Sequence, residues 1–233
     1  MLRQLLSIFR SEDPLGAMGQ DFARMLKSAY ELTIRAGDIY FGRPASPDER
    51  THIYKQDVKI NKLERKIRKQ VIAHLSLKGT TPSLPYCLLL MSLVKDVERI
   101  GDYAKNLAEV DDFHIAQLPD DEIVAELREI RTSVDSAFQA ASEVFTRADH
   151  ERAVELIRAG RDVAHRCDVL VGRIARSDYD AGLTTALVLG TRFYKRIGGH
   201  ILNVLSSVVM PLHKLDYYDE DSLVVVSGDA DDE

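Results

Sequence analysis

Apolar residues recur at three- and four-residue spacing along almost the whole chain, the period of a helix with one buried face. The pattern predicts six long helices. The first, about 14 to 41, aligns Leu15, Phe22, Leu26, Ala29, Leu32 and Ile39 in one stripe, and Gly42, Pro44 and Pro47 stop it. The second, about 47 to 76, carries Ile53, Ile60, Ile67 and Val71 and ends in LKGTTPSLP. The third runs to about residue 108, and its first half, YCLLLMSLV, is apolar on all sides, which predicts burial against several neighbours. A fourth opens at Pro119 and Asp120 and breaks near Asp149, a fifth continues to about Ser177, and a sixth spans roughly 183 to 214. β-branched runs are almost absent outside these helices, so the class is all-α.

The six helices read as twice three. Residues 98–107, ERIGDYAKNL, and 195–204, KRIGGHILNV, share Arg, Ile, Gly and Asn at a constant offset of 97. In the second helix of each half, Ile60, Leu63 and Ile67 fall on Ala164, Cys167 and Val171 at an offset of 104, with the difference absorbed by a shorter loop. The expected architecture is therefore two tandem three-helix bundles of antiparallel helices, residues 1–112 and 113–215, with the two third helices side by side at a pseudo-twofold axis. Gly101 and Gly198 would each cost about 1 kcal/mol relative to Ala inside a helix. That cost predicts close backbone approach at both.

Charge changes the picture in one place. The chain of 233 residues has a formal charge of -6, yet residues 216–233 hold eight acids and no bases, which leaves +2 on residues 1–215. A nearly neutral body argues against a nucleic-acid partner. The acidic segment is expected to be a solvated, disordered tail. The opening MLRQLLSIFR is mildly amphipathic, too short for a signal peptide, and is expected to pack on the bundle as a terminal turn. No run of 18 apolar residues occurs, so a cytoplasmic protein is expected, and Cys87 and Cys167 read as core thiols in a reducing compartment.

Candidate chemistry lies on the third helix, where Glu98, Asp102, Asn106 and Glu109 form one polar stripe. Carboxylates one turn apart repel unless a positive charge sits between them. Lys95, Arg99 and Lys105 are in reach and would make a salt-bridged face; the alternative is a hard cation held by oxygen ligands from several helices. Asp57, Asn61 and Glu64 on the second helix would meet that stripe. In the second unit Lys195 and Gly199 stand where Glu98 and Asp102 stand in the first, so a second cation site is not expected. His200 falls on the apolar stripe and reads as a hydrogen-bonded core histidine. A ferritin-like di-iron oxidase or metal-storage bundle is the rival class. Glu49 with His52 has the required spacing and Asp162 with His165 nearly so, but such a site also needs an inward Glu from each of two other helices, and His52, in the first turns of its helix, reads as capping and solvated. No nucleophile elbow, P-loop or paired CxxC is present, and an enzyme is not expected.

The stretch VKDVERIGDYAKNLAE, residues 94–109, closely resembles the third-helix motif of the PhoU family. KRIGGHILNV looks like a weakened second copy, and IYKQDVKINKLERKI is similar to the family's second helix. The resemblance implies a tandem pair of three-helix bundles without enzymatic activity that regulates phosphate uptake and phosphate-starvation signalling. Its implied partners are an ABC-type phosphate importer with its sensor kinase, or a coupled phosphate permease. Any membrane association would run through the partner, and the implied assembly is a homodimer. It also implies a divalent, iron or zinc ion at the first repeat, held by Glu98 and Asp102 with Asp57 as helper.

Overall fold

The computed structural model describes residues 14–42, 45–110 and 118–215. The expected turn at residues 1–10, the boundary near residue 112 and the acidic segment 216–233 lie outside these. Six helices make up the described chain, and no strand occurs among the described residues: α1 (Pro14–Phe41), α2 (Pro47–Leu75), α3 (Leu84–Glu109), α4 (Glu122–Arg147), α5 (His150–Ile174) and α6 (Ala181–Val209). None of them is long and apolar enough to cross a membrane.

Local chemistry sets most helix ends. Ser46 and Glu49 form a reciprocal capping box at the start of α2, with Pro47 in the first turn, where its missing N–H costs nothing. The Asp121 carboxylate accepts from the Ile123 and Val124 amides at 3.0 Å each to start α4. Ala148, at φ 53°, reverses the chain after α4, and Asp149 next to it caps α5. Asp180 caps α6 by accepting from the Leu183 amide at 2.8 Å. The last helix ends at Val209, short of the expected 214, and residues 212–214 form a single 3₁₀ turn after Pro211. Asp121 also accepts from the Tyr179 hydroxyl, which ties the α5–α6 turn to the start of α4. Asp121→Ala is expected to cost about 1–2 kcal/mol in urea unfolding. Asp121→Asn, which keeps the cap acceptor, should recover most of that.

The stripes bury as expected. Phe22, Ile60, Ile67, Tyr86, Leu90, Val97 and Ile100 are inaccessible in the first three helices, as are Leu127, Cys167, Leu187, Tyr194 and Ile197 in the last three. Both thiols are free and buried, and burial pushes the Cys167 thiol up to about 12. The YCLLLMSLV segment is less enclosed than its composition suggests, because Leu88 is 48% exposed.

The helices pack as α1, α2 and α3 together and α4, α5 and α6 together, with α3 against α6 and α1 against α4 joining the halves. The α3–α6 seam is polar at its centre. Asp96, which is buried, accepts from His200 Nδ1 and Asn203 Nδ2 at 2.8 Å each, while Tyr103 stacks on the His200 ring at 5.8 Å. Across the α1–α4 seam Arg131 bonds Asp38 with its guanidinium over the Phe41 ring, while Asp135, one turn along α4, accepts from its Nε at 3.2 Å. The helices that carry the two Arg-Ile-Gly segments lie side by side as expected, with Tyr103 and His200, each two residues past its glycine, stacked on one another, but the glycines themselves point elsewhere. A Cβ on Gly101 would lie 3.1 Å from Ile60 Cδ1 of α2, and one on Gly198 would lie 3.7 Å from Val134 Cγ2 of α4. Each glycine thus faces a side chain of its own half, and only Gly101 is tightly approached.

Candidate functional site

The α3 stripe and the polar face of α2 meet along the antiparallel pair. Lys105 reaches from α3 to Asp57 Oδ2 at 3.3 Å and to Asp102 Oδ1 at 3.4 Å, so its ammonium stands between two carboxylates on different helices. Arg99 adds a 3.6 Å pair to Asp102, and Lys95 holds Glu98 at 2.8 Å. Asn61 donates to Asp57 at 3.4 Å, and the Tyr54 hydroxyl donates to Glu109 at 2.9 Å further along the same seam. Glu64 pairs with Arg68 on its own helix. Asp57, Glu98 and Asp102 are matched by Lys95, Arg99 and Lys105, so these six side chains sum to neutral.

Burial gives this network its character. The Asp57 side chain is only 9% exposed, against 29% for Asp102. Burial pushes the Asp57 carboxyl above the usual carboxylate range, and the nearby charges of Asp102 and Glu98 push the same way, against the attraction of Lys105. For Lys105 the largest influence, burial, acts downward, yet Asp57 and Asp102 together outweigh it and raise the ammonium. Both directions describe an ammonium that the site holds firmly and a buried carboxylate that depends on it.

A cation suits part of this set. The Oδ1 atoms of Asp57 and Asn61 are buried and accept no hydrogen bond, and hard cations prefer such oxygen donors. Against that, the Lys105 ammonium already bridges Asp57 and Asp102. Among the described residues no three His, Cys, Asp or Glu side chains converge where they could hold an ion. The residues of the di-iron alternative are not brought together either. Glu49 closes the cap of α2, His52 lies 3.0 Å from Gln56 on the same helix, and Asp162 and His165 are exposed on α5. In the second half Lys195 pairs with Asp168, which also meets Arg192 at 3.5 Å, so internal charge pairing stands where the first half has carboxylates.

The Asp96, His200 and Asn203 cluster was only half anticipated, through His200. Its sequence signal is an acid placed between Leu93 and Val97 on the buried stripe of α3, facing His and Asn three apart on α6. A buried acid needs a donor. Nothing in a single helix says that the donor comes from the other half.

Residues 15–110 match the family model described as the PhoU domain. A phosphate-specific transport system accessory protein, PhoU homolog 1 of Thermotoga maritima, is 27% identical over 165 residues, covering 67% of this chain and 70% of that one. Among solved structures, PhoU of Pseudomonas aeruginosa superimposes with a TM-score of 0.75 at 18% identity, covering 93% of this chain and 98% of its own. The phosphate transport system regulatory protein PhoU of Streptococcus pneumoniae gives 0.70 at 15% identity, covering 94% and 97%. Residues 15–110 thus match the PhoU domain, and the chain as a whole shares the all-α fold of the solved PhoU structures.

Proposed function

We propose that the protein is a non-enzymatic regulator of phosphate uptake and phosphate-starvation signalling. It acts by binding a phosphate transporter, of the ABC or permease type, or the sensor kinase coupled to it. The observation that carries this reading is the PhoU domain match over residues 15–110, which contains the Arg-Ile-Gly-Asp segment of α3. The accessory role named for the Thermotoga maritima relative supports it. On this reading the chain works in the cytoplasm as a homodimer and meets the membrane only through its partner.

The site's part is to fix α3 against α2. For Asp57, Glu98 and Asp102 to hold a divalent, iron or zinc ion they would have to draw together and release Lys105, and the ion would then supply the positive charge that Lys95, Arg99 and Lys105 supply now. Either way, the polar face of the first bundle keeps one shape for a partner to read.

The test is phosphate uptake by cells lacking the gene, measured in phosphate-replete and phosphate-starved medium. Uptake is expected to lose its dependence on phosphate supply, to regain it with the wild-type gene, and not to regain it with a Glu98→Ala, Asp102→Ala double variant. A folded double variant that restores regulation and keeps the metal content of the wild type would sink the role given to the site. Unaltered uptake in the deletion strain would sink the regulatory role itself.

A further inference from the structure

The outer face of α2 carries Lys55, Lys59, Lys62, Lys66 and Lys69 at alternating spacings of four and three, which places them on one stripe. All five are exposed. Between residues 55 and 69 the helix has seven Lys and Arg against the two acids Asp57 and Glu64, in a chain whose net charge is negative. Glu64 is committed to Arg68 and Asp57 to Lys105. Lys66 reaches Asp21 at 2.7 Å, whereas Lys55, Lys59, Lys62 and Lys69 pair with no acid among the described residues.

The stripe borders a groove. Between α1 and α2 a cavity of about 610 Å³ is lined by Arg24 and Lys27 on one side and Lys59, Lys62 and Lys66 on the other. Of the acids along it, Asp21 is shared by Arg24 and Lys66, and Glu31 lies 3.9 Å from Lys27. The groove therefore keeps a surplus of positive charge along a helix face that no other described helix covers.

We propose that residues 216–233 of the same chain occupy this groove and cover the lysine stripe. Three observations select this occupant. Its eight acids and absence of bases complement the stripe, and they fall in two groups, at 216–221 and 229–233, around an apolar LVVV.

The chain also leaves the bundle at the right end. Asp96 meets His200 and Asn203, while Tyr103 meets Phe193, so α6 runs antiparallel to α3 and finishes beside its start. Tyr86 donates to the Leu15 carbonyl at 3.2 Å, which puts the start of α1 there as well, and the Lys66–Asp21 pair places the later turns of α2 alongside that start. The last described residue, Leu215, is buried at this end.

Reach is sufficient. Eighteen residues extend to about 60 Å, and the stripe from Lys69 back to Lys55 is about 21 Å long at the helical rise. A tethered acidic segment needs no tight contact to stay docked, because the tether keeps its local concentration high. Exposed ion pairs of this kind are individually weak and yield to salt. The consequence is a face shielded by its own chain, which an acidic partner or an anionic surface must compete to reach.

The test uses the full-length chain at low ionic strength. Carbodiimide coupling, with isotope-labelled and unlabelled chains mixed, is expected to join acids of 216–233 to Lys59, Lys62, Lys66 or Lys69 within one chain, and to fail in high salt. Independently, a Lys55→Gln, Lys59→Gln, Lys62→Gln, Lys69→Gln variant should be cut by chymotrypsin after Tyr217 and Tyr218 several-fold faster than the wild type. Links confined to different chains would overturn the proposal in favour of a second copy as occupant. Links to lysines elsewhere, or cleavage unaffected by the substitutions, would overturn it outright. So would binding of the intact chain to phosphatidylserine-containing vesicles through these lysines, if replacing the acids of 216–233 with amides left that binding unaltered.

Discussion

Gly190→Ala is expected to lower the midpoint of thermal unfolding by about 6–12 °C, the consequence of about 3 kcal/mol of overpacking. A Cβ at this position on α6 would lie 2.2 Å from the Tyr40 hydroxyl and 2.3 Å from its Cζ. The Tyr40 ring at the end of α1 is buried, its hydroxyl donates to the Ala186 carbonyl at 3.1 Å, and it packs edge-on against Phe41 at 4.8 Å. The ring cannot yield without breaking that bond and opening the place where the halves meet. Calorimetry of the single variant checks the size of the loss. A Tyr40→Leu, Gly190→Ala double variant checks the cause, since it should be more stable than the sum of the two single losses allows. Additive losses would mean that the methyl group acts by some other route.

Lys105→Met should cost about 2 kcal/mol at neutral pH, below the range of about 3–5 kcal/mol for breaking a fully buried pair. The discount is for solvent, because Lys105 keeps 21% of its side chain exposed. The loss should depend on pH in a definite sense. The Asp57 carboxyl is already raised in the folded protein by burial and by Asp102 and Glu98, and removing Lys105 takes away what opposes that rise. A raised carboxyl binds its proton more tightly in the folded state than in the unfolded one. Its contribution to stability is present below the unfolded value and is lost as pH rises through the folded value. The variant should therefore approach wild-type stability in acid, where Asp57 is protonated, and fall behind as the pH climbs to neutral. Lys105 is raised as well, so the stability it contributes to the wild type is complete at neutral pH and is lost only as pH rises through its own raised value. Urea unfolding at a series of pH values decides the matter, and a penalty independent of pH would contradict this account. Lys105→Arg, which keeps the charge, should retain most of the stability.

Helix positions were legible because their causes are local. Ser46 with Glu49, Asp121, Asp149 and Asp180 each cap a helix with atoms at most three residues away, and the spacing of Leu, Ile and Phe identifies the buried face without reference to a neighbour. The charge network was legible for the same reason in part. Lys95, Arg99 and Lys105 share one helix with Glu98 and Asp102, so their proximity follows from helical geometry. The meeting of Asp57 with that stripe follows from its face of α2; what escaped was that Lys105 is the group that joins them. Burial of that carboxylate and its dependence on Lys105 arise from α2 lying antiparallel on α3, a relation between two helices that neither contains alone.

Gly101 and Gly198 show the same division from the other side. The duplicated motif marks them as special, yet only the packed structure reveals that Gly101 makes room for Ile60 of its own half and that Gly198 is far less constrained. By itself, then, the amino-acid order determined six helices, four of them started by side-chain caps, their buried faces, the duplicated Arg-Ile-Gly segment and the acidic character of residues 216–233, all of which depend on neighbours within a turn or two of the chain. The tertiary structure alone decided that Asp96 is satisfied by His200 and Asn203 from the other half, that Asp57 leans on Lys105, and that the lysines of α2 border a groove with Arg24 and Lys27. The physical reason is that helical periodicity specifies a direction for each side chain, whereas the identity of what lies in that direction is set only when the helices pack.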